Sequence, residues 1–194
     1  MRSREESHLE RLSTIVHNSA WFLRALKEVR ALELTSWCIG AGAVRNLVWD
    51  HLHDFRAPSF LPDVDVAYFD DENLDSKHEQ DLQAKLETRA PDVPWEVTNQ
   101  ASVHLWFEHH FGHAVQPVKS LDDAISTWPE FATCVGVTLL ADDSLDFFAP
   151  YGLEDLFGIR VRRNPARVSL ATYRERVARK KYANRWPKVQ VLEA

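Results

Sequence analysis

A chain of 194 residues can enclose a full apolar core, and its 45% apolar and 27% charged content is that of an ordinary globular protein, which excludes a disordered or fibrous chain. No apolar run is long enough to span a membrane, and the polar opening Met1-Arg2-Ser3-Arg4-Glu5-Glu6 lacks the apolar centre of a secretory signal, so the cytoplasm is the expected location. The formal net charge is a modest −6, and no Pro/Ser-rich linker, repeat or low-complexity tract divides the chain, so one domain over residues 1–194 is expected.

From His8 to Arg30, Leu9, Leu12, Val16, Leu23 and Leu26 recur at helical spacing and predict an N-terminal helix packed on the core, the main feature of segment 1–34. A core over 35–158 follows, and a basic segment over 159–194 closes the chain. Trp37-Cys38-Ile39 reads as a short buried strand, within 36–40, and a helix over 43–54 carries Val44, Leu47 and Val48 on its apolar side. Between them Gly40 and Gly42 free the backbone, so that phosphate oxygens can approach the amides of Gly40, Ala41, Gly42 and Ala43 at the helix start. Arg45 sits one turn into that helix, close enough to neutralise a triphosphate. Close helix–strand packing uses paired glycines just as readily.

The next strand, 64–69, is apolar around two acids: Val64, Val66, Ala67, Tyr68 and Phe69 surround Asp63 and Asp65. Residues i and i+2 of a strand project from one face, where two carboxylates repel each other and a hard cation such as magnesium or manganese relieves the repulsion. Read alone, an Asp-x-Asp pair is also a turn cap or a surface acid. After a helix over 74–89, Pro94-Trp95-Glu96-Val97-Thr98-Asn99 alternates as a strand over 95–99, with Glu96 opposite Trp95 and Val97. Two metal ions call for a third carboxylate, and Glu96 is the candidate; an edge-strand glutamate is the ordinary alternative.

A helix over 101–111 carries His104, His109 and His110, with His113 just beyond. His109 and His113 have the i, i+4 spacing of a zinc pair, but Gly112 interrupts the helix and no matching Cys or acid follows, so a polar, partly exposed cluster is expected. Ser120 caps a helix over 120–128. Strands over 133–140 and 145–149 form a hairpin through Asp142-Asp143-Ser144, whose antiparallel pairing makes the sheet mixed; Asp146, on the second strand, is the reserve ligand if Glu96 faces away. Cys38 and Cys134 lie in apolar runs and read as buried free thiols. A short helix over 152–157 stops at Gly158.

Between Arg160 and Lys188 eleven bases face a single acid, Glu175. Such a segment can contact the phosphates of a nucleotide or of a nucleic acid. The preferred reading for most of these bases is a helix over 169–184 with Leu170, Tyr173, Val177 and Tyr182 packed inward and its bases paired with the acid-rich middle of the chain, a few of them lining the triphosphate side of a cleft. The fold class that emerges is α/β (α+β): a mixed sheet flanked by helices, with an N-terminal helix and a basic C-terminal helix.

Ala41-Gly42-Ala43-Val44-Arg45-Asn46, Asp63-x-Asp65 and Glu96-Val97-Thr98-Asn99 together resemble the glycine motif, paired aspartates and third acid of the DNA polymerase beta nucleotidyltransferase superfamily. The first motif is most similar to the Gly-Gly-x-Val-Arg-Asp of CCA-adding enzymes and bacterial poly(A) polymerases. Ala41 stands where that motif has its first glycine, and Asn46 where it has aspartate. Over roughly residues 35–190 the chain is similar to a family of small bacterial nucleotidyltransferase-like proteins, through Arg45-Asn46-x-Val48-Trp49-Asp50, Asp63-Val64-Asp65-Val66-x-Tyr68-Phe69, Trp95-Glu96-Val97-x-Asn99-Gln100-Ala101, Trp128-Pro129-Glu130 and Ala149-Pro150-x-Gly152-Leu153-x-Asp155-Leu156-Phe157.

The resemblance implies a metal-dependent nucleotidyltransferase that moves a nucleoside monophosphate from a nucleoside triphosphate to an acceptor hydroxyl and releases pyrophosphate. Asp63, Asp65 and Glu96 would hold two magnesium (or manganese) ions, and Gly40, Ala41, Gly42, Ala43, Arg45 and Asn46 would bind the nucleotide. The acceptor is open among a protein side chain, a small metabolite and an RNA end. The chain is too short for the long helical body with which CCA-adding enzymes grip transfer RNA, so activity on that substrate is not implied. Two other readings stand beside this one: a non-catalytic protein of the same fold that binds a nucleotide or partner, and, less favoured, a nucleic-acid-binding module working through the basic segment with strong salt dependence.

Overall fold

Alternation along residues 64–68 sends Val64, Val66 and Tyr68 to one side of a sheet and Asp65 to the other, and the rest of the architecture follows from covering that apolar side. The computed structural model describes residues 2–193. In chain order the elements are α1 (Arg2–His17), α2 (Ala20–Arg30), β1 (Trp37–Gly40), α3 (Ala41–Leu52), β2 (Val64–Tyr68), α4 (Ser76–Arg89), β3 (Trp95–Asn99), α5 (Val103–Phe111), α6 (Leu121–Ser126), β4 (Gly136–Leu139), β5 (Leu145–Phe148), α7 (Glu154–Phe157), β6 (Arg160–Val161), α8 (Leu170–Lys180), α9 (Tyr182–Arg185) and β7 (Gln190–Val191). Short 3₁₀ turns occupy Gln100–Ser102 and Phe131–Thr133.

The main sheet runs β3-β2-β1-β4-β5, with β2 and β3 parallel and every other neighbour pair antiparallel. This is the mixed sheet flanked by helices that the sequence predicts. Leu12 and Val16 of α1, Phe22 and Leu26 of α2, Val48 and Trp49 of α3, and Leu82 and Leu86 of α4 pack in the same buried cluster as the strands. Tyr173, Tyr182 and Trp186 join that cluster from the C-terminal segment. The basic helix is thus built onto the core through its aromatics.

Two predicted helices are each divided. The N-terminal one breaks at Asn18-Ser19, where Ser19 is extended, because turn-forming residues interrupt an otherwise continuous apolar spacing. The C-terminal one breaks at Lys181, whose φ of 48 reverses the chain and lets Tyr182 and Trp186 turn back under α3. Three capping side chains hold helix starts: Asp75 on α4, Ser120 on α6 and Ser169 on α8. The parallel pair β6–β7, two residues per strand, leaves no periodic signal in the sequence. It nevertheless orients α8, because the buried Tyr173 hydroxyl donates to the carbonyl oxygens of Val161 and Leu192. No helix of the described residues is long and apolar enough to cross a membrane. Cys38 and Cys134 are buried free thiols.

Candidate active site

The parallel register of β2 and β3 sets Asp65 beside Glu96, so both side chains leave the same face of the sheet. Asp63, two residues before Asp65, joins that face just ahead of β2. Carboxylate oxygens of the three residues lie within 4.8 Å of one another, and among the described residues this is the one group of acids, histidines or cysteines close enough to share a metal ion.

The electrostatics of the trio are those of a site that calls for a cation. Burial, then the charges of Asp63 and Glu96, push the Asp65 carboxyl up to about 7, against a hydrogen bond from the Gly42 amide and the positive charge of Lys180. Glu96 is also raised, by burial and by Asp63, again with Lys180 opposing. Its donor atoms are all carboxylate oxygens, which suits a hard divalent cation such as magnesium or manganese.

The turn from β1 into α3 brings the helix start to the acids. Gly40 is extended, and a Cβ there would lie 2.6 Å from the Trp128 ring and 2.9 Å from the Val135 carbonyl oxygen, so close packing requires the glycine. Ala41 adopts a φ of 50, a left-handed conformation that glycine takes more easily. At Gly42 an added Cβ would meet Arg45 Nη2, Asp63 and Asp65 at 3.8–3.9 Å, ordinary contact distances. Ala41, Gly42 and Arg45 line the cleft above the acids; Gly40 lies beneath Trp128, Ala43 is fully buried, and Asn46 faces away. Asn46 accepts a 2.8 Å hydrogen bond from Arg45 Nη2 and so holds that arginine from behind.

Arg45 is 3% exposed and stands in an aromatic cage, with its guanidinium carbon 5.2, 5.4 and 5.6 Å from the ring centroids of Tyr182, Trp186 and Trp49. Its Nη1 is 3.9 Å from Glu130, and neither Nε nor Nη1 has a hydrogen-bond partner. Glu130 is the hub of this corner. Fully buried, it accepts from Arg176 Nε at 2.7 Å and from the Tyr182 hydroxyl at 2.8 and 3.0 Å.

Arg176, Arg179 and Lys180 of α8 form the opposite side of the cleft, which encloses about 310 Å³. Among the described residues no base lies within the 4.0 Å of an ion pair from Asp63, Asp65 or Glu96. Bases and acids therefore face each other across a gap. Burial lowers the Lys180 ammonium, and Arg176, Arg45 and Arg179 lower it further, while Asp63 opposes them.

Glu130 is the feature that sequence reasoning left outside the site, and the α8 bases entered it only as an unspecified few of the basic segment. The i, i+3, i+4 spacing of Arg176, Arg179 and Lys180 was the available signal, since it places all three on one helix face. A single glutamate in Trp128-Pro129-Glu130 carries no comparable sign of burial. Asp146 sits on β5 at the far edge of the sheet, beside Thr138, and does not reach the cleft. His109, His110 and His113 are exposed, as the reading of a polar cluster expects. A larger groove of about 560 Å³ runs along the other side of α3 between Trp21, Phe55 and Leu61, and none of the three acids lines it.

A search of curated proteins finds no match. A solved structure described as the NMR structure of a protein that reveals a CCA-adding enzyme head domain is 27% identical to this chain and superposes with a TM-score of 0.81, covering 95% of this chain and 96% of that one. A tRNA-processing enzyme in an apo form is 15% identical, with a TM-score of 0.47 over 96% of this chain and 43% of that one. A family model described as nucleotidyltransferase matches residues 27–191. The sheet, the acid-bearing strands and this match over most of the length agree, and the chain belongs to the nucleotidyltransferase family.

Proposed function

We propose that the cleft transfers a nucleoside monophosphate from a nucleoside triphosphate to an acceptor hydroxyl, with release of pyrophosphate. The observation that carries this reading is the convergence of Asp63, Asp65 and Glu96 within 4.8 Å beside the start of α3. The neighbour described as a CCA-adding enzyme head supports the same chemistry.

Asp63, Asp65 and Glu96 would hold divalent magnesium or manganese, which when bound neutralises phosphoryl oxygens and lowers the pKa of a nearby hydroxyl. Arg45, pre-set by its cage in the cleft wall, supplies a fixed positive charge toward the phosphates, whereas the amides of Ala41 and Gly42 are already bonded to the Val135 carbonyl oxygen and to Asp65. As the acceptor oxygen bonds to the α-phosphorus, the bond from phosphorus to the pyrophosphate oxygen breaks in line. The hydroxyl proton passes to Glu96 or to water. The acceptor class, whether protein side chain, metabolite or RNA end, is a matter for experiment.

Each α-labelled nucleoside triphosphate, incubated with the protein, manganese or magnesium and cell extract, should yield a labelled acceptor. The Asp63→Asn, Asp65→Asn double variant should yield none. Absence of transfer from all four nucleotides, or equal transfer by the variant, overturns the reading.

A further inference from the structure

The basic face of α8 has no explanation in the core or in pairing with the three acids. Arg176, Arg179 and Lys180 project into the cleft without closing onto Asp63, Asp65 or Glu96. Their helix is anchored by Tyr173 on the β6–β7 pair and by Arg176, with the following Tyr182, on buried Glu130. This leaves Arg179 and Lys180 as the bases of this face without a carboxylate partner among the described residues. Arg45 lines the same cleft from α3; it is nearly fully buried, with Nε and Nη1 closed off from solvent and without hydrogen-bond partners, and it stands 3.9 Å from the Glu130 carboxylate that also holds Arg176. Bases from two separate elements thus converge on one space, and four positive side chains crowd together with Glu130 as their one bonded carboxylate.

Such crowding is unfavourable unless an anion fills it. At Lys180 burial disfavours the ammonium first, and Arg176, Arg45 and Arg179 add to it, with Asp63 opposing. The volume, about 310 Å³, is at the small end of the range for ligand sites, which suits a phosphate chain lying along the cleft. The acids come from β2, β3 and the residue before β2, and Arg179 and Lys180 from α8, so a triphosphate in the cleft would set its α-phosphate toward Asp63 and Asp65 and its terminal phosphates toward α8.

We infer that the α8 face formed by Arg176, Arg179 and Lys180 is, with Arg45, the binding wall for the β- and γ-phosphates, and that Glu130 is the residue positioning it. This rests on the nucleotidyl-transfer reading for its orientation, yet the wall binds polyphosphate by itself.

The test uses the full chain and calorimetric titration with inorganic tripolyphosphate in the absence of metal, then with a nucleoside triphosphate and its monophosphate in the presence of manganese. Arg179→Ala and Lys180→Ala should each weaken tripolyphosphate binding about tenfold, the loss of one charge-assisted contact. Arg174→Ala, on an exposed part of the same helix, should change it less than about twofold, because a distant exposed charge is screened. Glu130→Gln should cost affinity for the triphosphate but leave the monophosphate nearly unaffected, a contrast that a merely structural role would not produce. If Glu130→Gln fails to fold, Tyr182→Phe, which removes one bond to the same carboxylate, must show the contrast instead.

Equal losses from Arg174→Ala and Arg179→Ala would reduce α8 to a diffuse field and overturn the wall. Unchanged binding by Arg179→Ala and Lys180→Ala, with nucleotide binding lost in Asp63→Asn, would overturn the wall and leave the transferase reading standing. Tripolyphosphate binding that depends on Arg179 and Lys180, with no nucleotide binding that depends on Asp63, would keep the wall and overturn the transferase reading.

Discussion

Glu130→Gln removes one negative charge from a pocket that also buries Arg45 and the stem of Arg176. The side chain is 1% exposed and holds Arg176 at 2.7 Å and Tyr182 at 2.8 Å, with Arg45 at 3.9 Å. Breaking a buried ion pair from one side costs about 3–5 kcal/mol, because the surviving charge is left uncompensated. Two features place this case near the low end. Glutamine keeps the shape and still accepts from Tyr182, and the Arg176 side chain, 23% exposed, can recover some water. A loss of about 3 kcal/mol corresponds, for a chain of this size, to a fall in Tm of roughly 6–12 °C. Thermal melts and urea unfolding of the two proteins measure it, with Tyr182→Phe and the double variant completing a cycle that should be non-additive. A shift below about 2 °C would refute the hub, since an uncompensated pair of buried guanidinium groups cannot be that cheap.

Ala41→Gly should raise Tm by a few degrees: relief of a left-handed alanine is worth about 1–2 kcal/mol, and the added freedom of the unfolded chain takes back part of it. A lower Tm would refute strain at this turn. Gly40→Ala should destabilise by about 1–3 kcal/mol and disturb Trp128, because its Cβ would lie 2.6 Å from the ring and 2.9 Å from a backbone oxygen; unchanged near-ultraviolet dichroism and Tm would count against that contact. Metal-free protein should lose stability as pH rises. The folded Asp65 carboxyl, held at about 7, keeps its proton more tightly than the unfolded one at roughly 3.9, so its contribution is complete below the lower value and gone above the higher. Denaturant titrations from pH 4 to 8 should show this slope in the native protein and a shallower one in Asp65→Asn. Manganese binding should strengthen over the same interval, as the site gives up its proton; affinity flat across it would contradict the raised carboxyl.

Local patterns determined much of this protein. Asp63 and Asp65 share a strand face because side chains alternate with a period of two, and Val64, Val66 and Tyr68 bury the other face for the same reason. Glycines and a helix pattern after Trp37-Cys38-Ile39 marked the strand-to-helix turn, and the hairpin residues at 142–144 marked antiparallel pairing and hence a mixed sheet. Glu96 was a candidate partner of the two aspartates by residue type and by resemblance, but the geometry that joins distant segments lay beyond the sequence. Asp65 meets Glu96 through a parallel register that neither strand encodes alone. Glu130 is a hub because Arg176 and Tyr182, 46 and 52 residues away, fold back onto it, and Asn46 supports Arg45 while facing away from the cleft. The bases of α8 could have paired with the acidic middle of the chain on composition alone. Their placement was decided by where Tyr173, Tyr182 and Trp186 find apolar cover, since burying aromatic surface outweighs the weak, screened attraction of exposed charges.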